Sequence, residues 1–421
     1  MLFVYRILIN TIVIISPLIF FFRILKKKEH PLRFKEKLCF FSKKRNKGKL
    51  IWFHGASVGE LLSVIPLVER LEKNKKISQI LITSNTLSSS KIILNLKLKK
   101  TIHQFFPIDT TYHVQRFLDY WKPSTAIFID SEIWPNMIMA IKKKTIPLIL
   151  LNARITKKSF KKWKLFSSSA KLFFDKFDFC LSSSLQSNRY LKLLGVKKTK
   201  HIGNLKFSQT EKKDDFLDKK LKKFFLSKKI WCAASTHDSE EKFCALAHKK
   251  LKKKYKNLLT IIIPRHINRT NNIVKEMEKL NLNVHIHTSK NQIKKDTDIY
   301  LVNSYGQTKS FFKICKTVFL GGSIIRHGGQ NPLEAVRYGC KILYGPNVWN
   351  FNEIYNLLNQ YNVSHKVYSL NQIIDNIEKI FKNKMNSKNI ENKIKKLGHK
   401  ILNITLKEIN TFINKDEIKK T

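Results

Sequence analysis

Short runs of apolar and β-branched residues, each followed by a stretch with helical spacing, constrain this chain more than any other feature. Leu50–Phe53, Ile80–Thr83, Ala126–Ile129 and Pro147–Leu151 lack the alternation of a half-buried strand, and Leu61–Leu71, Ile92–Leu98, Met137–Ile141 and Trp163–Phe174 follow them. Strands apolar on both faces belong to a parallel sheet covered by helices on both sides. The pattern halts at Gly195–Phe207 and the Lys/Asp-rich segment Glu211–Lys223. It restarts with Ile230–Ala234, a helix over Glu240–Tyr255, Leu258–Ile263, a helix through Ile273–Leu280, and Val284–His287. Ile299–Val302, Thr317–Leu320 and Lys341–Tyr344 continue it. The sequence therefore predicts an α/β chain of two Rossmann-like, doubly wound domains, 49–207 and 227–421, joined by a linker over 208–226. Ligands of such sheets bind outside the carboxyl ends of the strands, so the residues just after each strand carry the chemistry.

The first residues are of another kind. Ile7 to Phe22 contains no charge and is bracketed by Arg6 and Arg23. As a helix it spans roughly 24 Å, and Leu2–Tyr5 and Ile24–Leu25 extend it toward the ~30 Å hydrocarbon core of a bilayer. No small-residue cleavage site follows, so residues 1–25 read as a single N-terminal membrane anchor rather than a signal peptide. Lys26–Lys28, Arg33, Lys35 and Lys37 open a basic juxtamembrane segment, 26–48. By the positive-inside rule it places the rest of the chain in the cytoplasm, beside anionic headgroups.

Composition excludes some classes. The chain carries 81 Lys+Arg against 30 Asp+Glu, a net charge of +51, which invites a polyanion partner. The lysine runs, such as Lys142–Lys144 and Lys252–Lys254, are spread along the chain, so a diffuse compositional bias accounts for them better than one binding patch. A hydrophobic fraction of 43% with 29 Phe excludes a mainly disordered chain. The six cysteines form no C-x-x-C pair and no Cys/His cluster with zinc-ligand spacing, so neither a disulfide framework nor a metal site is expected.

The strand-end loops hold the candidate residues. After the first strand stands His54-Gly55-Ala56-Ser57-Val58-Gly59-Glu60. Ser57 and Glu60 have capping-box spacing, while the flanking glycines let a ligand approach a carboxylate able to act as general base. A helix N-terminus favours the ionised form and so lowers basicity; cap and base remain evenly matched here. Asp130-Ser131-Glu132-Ile133-Trp134-Pro135-Asn136 is no plain turn, because an exposed Trp without a partner is rare. Lys206, in Gly203–Phe207, and Arg265, after Pro264, suit phosphate or carboxylate recognition. Gly321 to Ala335 holds four of only 13 glycines and opens a helix at Asn331-Pro332, an arrangement that forms an anion cradle. Glu334 there is either a favourable first-turn charge or an acceptor for ribose hydroxyls.

These motifs, in this order, resemble those of the bacterial 3-deoxy-D-manno-octulosonic acid (Kdo) transferases of lipopolysaccharide synthesis. The resemblance rests on HGASVGE at 54–60, SEIWPN at 131–136, LNARIT at 151–156, GNLKF at 203–207, AASTHDSEE at 233–241, IIPRH at 262–266, GGSIIRHGGQNPLEA at 321–335 and GPNVWNF at 345–351. It implies the glycosyltransferase-B fold and inverting transfer of Kdo from CMP-Kdo to the phosphorylated glycolipid lipid IVA at the inner membrane. It implies no cofactor, no required metal and no nucleic-acid partner. It makes Glu60 the general base and Glu132 and Lys206 stabilisers of the transition state. CMP would be held by Pro264, Arg265, Tyr305, Gly306, Gln307, Asn331, Pro332, Leu333 and Glu334, with the first domain holding lipid. The Tyr305-Gly306-Gln307 loop departs from the family's pattern. Two other readings compete: a transferase of the same fold using another nucleotide sugar, and a non-catalytic, membrane-tethered polyanion binder.

Overall fold

The computed structural model describes residues 2–209, 217–289, 291–383 and 386–414; residues 210–216 of the expected linker lie outside the described residues. The chain forms two seven-stranded sheets, parallel throughout. The first contains β1 (Leu50–His54), β2 (Gln79–Ser84), β3 (Thr101–Phe105), β4 (Thr125–Ile129), β5 (Leu148–Ala153), β6 (Phe179–Ser182) and β7 (Thr199–His201), in the order β3-β2-β1-β4-β5-β6-β7. The second contains β8 (Lys229–Thr236), β9 (Leu258–Pro264), β10 (Val284–Ile286), β11 (Ile299–Leu301), β12 (Thr317–Leu320), β13 (Lys341–Tyr344) and β14 (Ser364–Lys366), ordered β10-β11-β9-β8-β12-β13-β14. Strand order reverses between β1 and β4 and between β8 and β12. Those are the two places where a doubly wound sheet opens a crevice for a ligand.

Burial explains the strand sequences. β1, β2, β4, β5 and β6 are buried at every position, with helices packing over them. Trp52, Phe117, Phe128, Met137 and Phe174 share one core of the first sheet, and Trp231, Leu251, Ile262 and Phe319 one of the second. β3, β6, β7 and β14 were not anticipated; β6 is buried at all four positions, whereas β3, β7 and β14 are edge strands, which need only one apolar face, and Thr-Lys-His in β7 is nearly all exposed. Most helices leaving the ligand edge of the first sheet start on hydroxyl caps; Pro135–Lys143, after β4, has none. Ser57, Thr86, Thr110, Thr156 and Ser184 accept the amides of Glu60, Ser89, His113, Ser159 and Ser187, satisfying donors that a helix start leaves open.

Two terminal segments depart from the sequence reading. The described residues divide into compact units, 2–209 with 397–414, and 217–396. Residues 397–414 were expected with the second domain. Instead Phe412 stacks near Phe179 with ring centroids 5.8 Å apart, Lys200 pairs with Glu408 at 2.6 Å, and Lys49 Nζ donates to the Ile413 carbonyl. At the other end, the helix Leu2–Leu25 has a mean hydropathy of 2.3 and is long and apolar enough to cross a membrane. In the basic segment after it, Arg33 pairs with Glu36 at 2.7 Å and Lys37 with Glu29 at 2.6 Å, both against buried carboxylates. Arg33 and Lys37 are therefore spent on internal ion pairs; Lys26–Lys28 and Lys35 are the exposed cations of the stretch from 26 to 37.

Gly398, within the helix Ser387–Ile413, has no room for a β-carbon, which would meet the Phe207 carbonyl oxygen and lie 2.8 Å from its carbon. Gly398→Ala is expected to destabilise the first unit by about 1–3 kcal/mol. Thermal unfolding followed by circular dichroism would show it as a lowered Tm.

Candidate active site

In the first unit, β1 delivers His54 and the turn Gly55–Ser57 to the crevice beside β4, and the helix Val58–Glu72 begins there. Glu60 Oε2 accepts the Ala56 N–H at 2.7 Å and the Ser57 N–H at 3.3 Å, while the Glu60 N–H donates to Ser57 Oγ at 3.4 Å. The capping box thus exists, and it holds the carboxylate in place. Burial nevertheless pushes the Glu60 pKa up to about 7, helped by the carboxylates of Glu132 and Asp130 and opposed by the hydrogen bonds from Ser57. Burial and like charge outweigh the helix N-terminus. The capping group and the carboxylate with the raised pKa are one and the same.

Glu132 follows β4. Trp134 Nε1–H donates to Glu132 Oε2 at 2.8 Å, and His54 Nε2 stands 3.3 Å from the same oxygen. This meets the need for a partner that marked Trp134 in the sequence. His54 is fully buried, its ring stacked on Phe106 at 3.8 Å and its Nδ1 3.0 Å from Thr83 Oγ1. Burial lowers its pKa although Glu132 opposes the shift, which favours the neutral ring. His54 and Thr83 were not singled out from sequence; a histidine closing a wholly apolar strand was the available signal. Asp130 adopts a left-handed backbone, φ 63°, as it turns from β4. Lys206 sits in the short 3-10 turn Leu205–Ser208, which packs on the helix carrying Glu60. Asn152 Oδ1, just inside the end of β5, accepts the Leu205 N–H, and Asn204 Oδ1 accepts the Lys206 N–H, each at 2.9 Å. One sheet edge therefore gathers Glu60, Glu132 and the turn of Lys206.

In the second unit, Pro264 ends β9 against Thr236 of β8, and Arg265 follows it, exposed, its N–H donating to the Thr236 carbonyl at 2.9 Å. His237 and His327 lie 4.2 Å apart by ring centroid, and His237 and His266 5.6 Å. Burial, then His327, His266, Arg265 and Arg269, hold His237 down at about 4. Arg269 there is paired with Asp238 at 2.6 Å and with Glu241 at 2.9 Å. The Tyr305-Gly306-Gln307 loop follows β11 at the same edge. Tyr305 is exposed, Gly306 has φ 83° with open space beside it, and Gln307 leads into the helix Thr308–Ile314. Asn331 Oδ1 accepts the Leu333 N–H at 3.2 Å, Leu333 is buried, and Glu334 lies 4.0 Å from Lys309 Nζ.

The glycine-rich start of Gly321–Ala335, ahead of the helix opening at Asn331-Pro332 where the cradle was expected, is filled by a carboxylate of the protein. Buried Glu240 accepts the amides of Gly322, Ser323 and Ile324 at 2.7, 3.0 and 2.9 Å, and that of His237 at 3.0 Å. A β-carbon on Gly321 would sit 2.8 Å from Glu240 Oε2 and 2.5 Å from Thr236 Cα, so this approach needs glycine. Glu240 fixes the β12 loop to the end of β8. Sequence reasoning missed it because a glutamate in a first helical turn reads as an ordinary dipole charge.

Residues 32–209 match the family model of the 3-deoxy-D-manno-octulosonic-acid transferase (kdotransferase). Over 375 residues the chain is 32% identical to a probable mitochondrial 3-deoxy-D-manno-octulosonic acid transferase of Arabidopsis thaliana, covering 86% of this chain and 83% of that one. Over 333 residues it is 33% identical to a 3-deoxy-D-manno-octulosonic acid transferase of Rickettsia bellii, covering 78% and 79%. This chain belongs to the 3-deoxy-D-manno-octulosonic acid transferase family. Among solved structures, a UDP-GlcNAc 2-epimerase of Neisseria meningitidis shares the fold, with a TM-score of 0.56 and 13% identity over 87% of this chain and all of that one. A putative UDP-N-acetylglucosamine 2-epimerase of Listeria monocytogenes does so with a TM-score of 0.59 and 14% identity, over 87% and 97%. The Kdo transferase family is one of glycosyltransferases, and the two-Rossmann fold expected from the strand pattern is the one found.

The raised pKa of Glu60 has a measurable cost in this Kdo transferase fold. Unfolded, the carboxylate ionises near its ordinary 4.5; folded, near 7. Its ionised form is disfavoured by folding, so stability is lost as pH rises from 4.5 to 7 and stays lowered above. Glu60→Gln is expected to unfold at a higher temperature than the parent at pH 8, the difference fading as pH falls toward 4.5. A difference independent of pH in calorimetric scans would contradict the assigned shift.

Proposed function

We propose that this chain transfers Kdo from CMP-Kdo to a hydroxyl of lipid IVA, on the cytoplasmic face of the inner membrane, with Glu60 as general base. The observation that carries this is a carboxylate poised near neutrality at the β1/β4 crevice of a Kdo transferase family chain. Glu60 takes the proton of the acceptor hydroxyl as the oxygen attacks the anomeric carbon of Kdo. The bond from that carbon to the CMP phosphate oxygen breaks, and the configuration inverts. CMP departs as an anion, so the leaving oxygen needs positive charge more than a proton. Arg265, exposed at the end of β9, supplies it. Glu132, oriented by Trp134 and backed by His54, and Lys206 stabilise charge around the reacting sugar. Pro264, Tyr305, Gly306, Gln307 and Asn331–Glu334 contact the nucleotide. The apolar helix Leu2–Leu25 is the membrane anchor, and the exposed Lys26–Lys28 favour the cytoplasmic face.

Glu60→Ala is expected to lower transfer by about a hundred- to ten-thousand-fold, the usual contribution of a general base, with CMP binding unchanged; mass spectrometry of lipid IVA after incubation with CMP-Kdo measures it. In the parent enzyme kcat/KM should rise with pH through about 7, as Glu60 becomes ionised. Glu132→Gln removes the larger neighbouring charge and should move that limb to lower pH. Arg265→Ala should weaken CMP binding by roughly ten- to a hundred-fold, the loss of a charge-assisted hydrogen bond. Unchanged affinity by titration calorimetry would remove Arg265 from the site.

A further inference from the structure

The helix Leu2–Leu25 is fastened at two places to the sheet edge that carries Glu60. Near its start, the Tyr5 hydroxyl donates to Asp109 Oδ2 at 2.7 Å and Arg6 Nε–H to Asn136 Oδ1 at 3.0 Å. Asp109 follows β3 and also accepts the amides of Asn136 and Met137, at 3.0 and 2.8 Å, where the helix after β4 begins. Farther along, buried Phe20 packs on Phe34 with ring centroids 5.2 Å apart, and Lys37 lies 5.9 Å from its ring. Lys37 in turn donates to the carbonyl of Asn85, just beyond β2, at 3.3 Å. Tyr5 and Phe20 are roughly 22 Å apart along a helix.

A helix standing across a bilayer touches a water-soluble body only where it leaves the membrane. Keeping both attachments would carry Asp109, Asn136 and the Lys37–Glu29 pair through most of a ~30 Å hydrocarbon core, where unsolvated polar groups are costly. The outward face is a different matter. Phe3, Ile7, Leu8, Ile14, Leu18 and Phe22 are all more than half exposed, and Lys26–Lys28 continue from the same helix as exposed cations.

We propose that this helix lies along one leaflet, its outward face among the acyl chains and Lys26–Lys28 among anionic headgroups, so that the Glu60 edge of the sheet is held against the membrane surface. The proposal rests on Glu60 serving a lipid acceptor: a glycolipid in that leaflet presents its hydroxyl to Glu60 without leaving the membrane. A symmetric pairing with a second copy would bring like charges together at Lys26–Lys28, whereas an anionic bilayer complements them.

The test uses the full chain and vesicles of phosphatidylethanolamine with a minor fraction of phosphatidylglycerol. Ile7→Cys, Ile14→Cys and Phe21→Cys place a nitroxide at successive points of one helix face, the six native thiols being buried. Equal, shallow depths by electron paramagnetic resonance are expected; a maximum of depth at position 14 means a spanning helix and overturns the proposal. Spin–spin broadening at these positions, reporting a second copy, overturns it as well. Tyr5→Phe combined with Arg6→Gln, which releases the helix start, should lower transfer to acceptor embedded in vesicles about ten-fold, roughly one hydrogen bond to a charged group. Transfer to detergent-dispersed acceptor should stay within about two-fold. Undiminished transfer in vesicles, or an equal loss in both media, overturns the clamp. A parent enzyme with equal nitroxide depths but no transfer in either medium would sink the acceptor reading and leave the placement of the helix standing.

Discussion

A parallel strand buried on both faces hands its chain to a loop whose amides have left the ladder, and those amides need acceptors in the space where a ligand must also fit. In this protein carboxylates take them. Glu60 accepts Ala56 and Ser57, Asp109 accepts Asn136 and Met137, and Glu240 accepts His237 and three successive amides beyond β12. Elsewhere Glu72 binds the amides of Lys99 and Lys100, and Asp178 that of Leu148. Each bond shapes a loop, and the loops shape the candidate site. A chain with 30 acids among 81 bases places many of its acids where backbone geometry depends on them.

The same device separates two chemical characters along the ligand edges. In the first unit the loop carboxylates crowd together, so Glu60 is held with Glu132 and Asp130 near enough to resist its ionisation. In the second, Glu240 is bound by four backbone amides, while Arg269 is paired with Glu241 and Asp238 and Arg265 is exposed. A carboxylate with a raised pKa and one locked to four amides thus arise from one kind of interaction, differing in what else stands nearby.

What the sequence showed, it showed through burial. β1, β2, β4 and β5 were legible because apolar residues on both faces admit little else, and the chemistry of strand ends followed. β3 and β7 were not, since an edge strand tolerates His, Gln or Lys where a central one does not. The tie at Glu60 could not be broken by spacing alone: helix position and capping are local, whereas its desolvation and its carboxylate neighbours come from β4. Glu240 was hidden for the same reason, its four donors lying in the loops after two strands far apart in sequence. Arg33 and Lys37 counted as lipid-facing charge until Glu36 and Glu29 were found beside them.

The helix Ser387–Ile413 starts with the second unit, where Ser387 lies against Gly339, and finishes in the first, over Gly203 and Phe207. Residues 397–414 leave the ribosome only after every strand of both sheets. Until then Phe179, Gly203 and the turn preceding Gln209 lack their cover, so the first unit made is the last one completed.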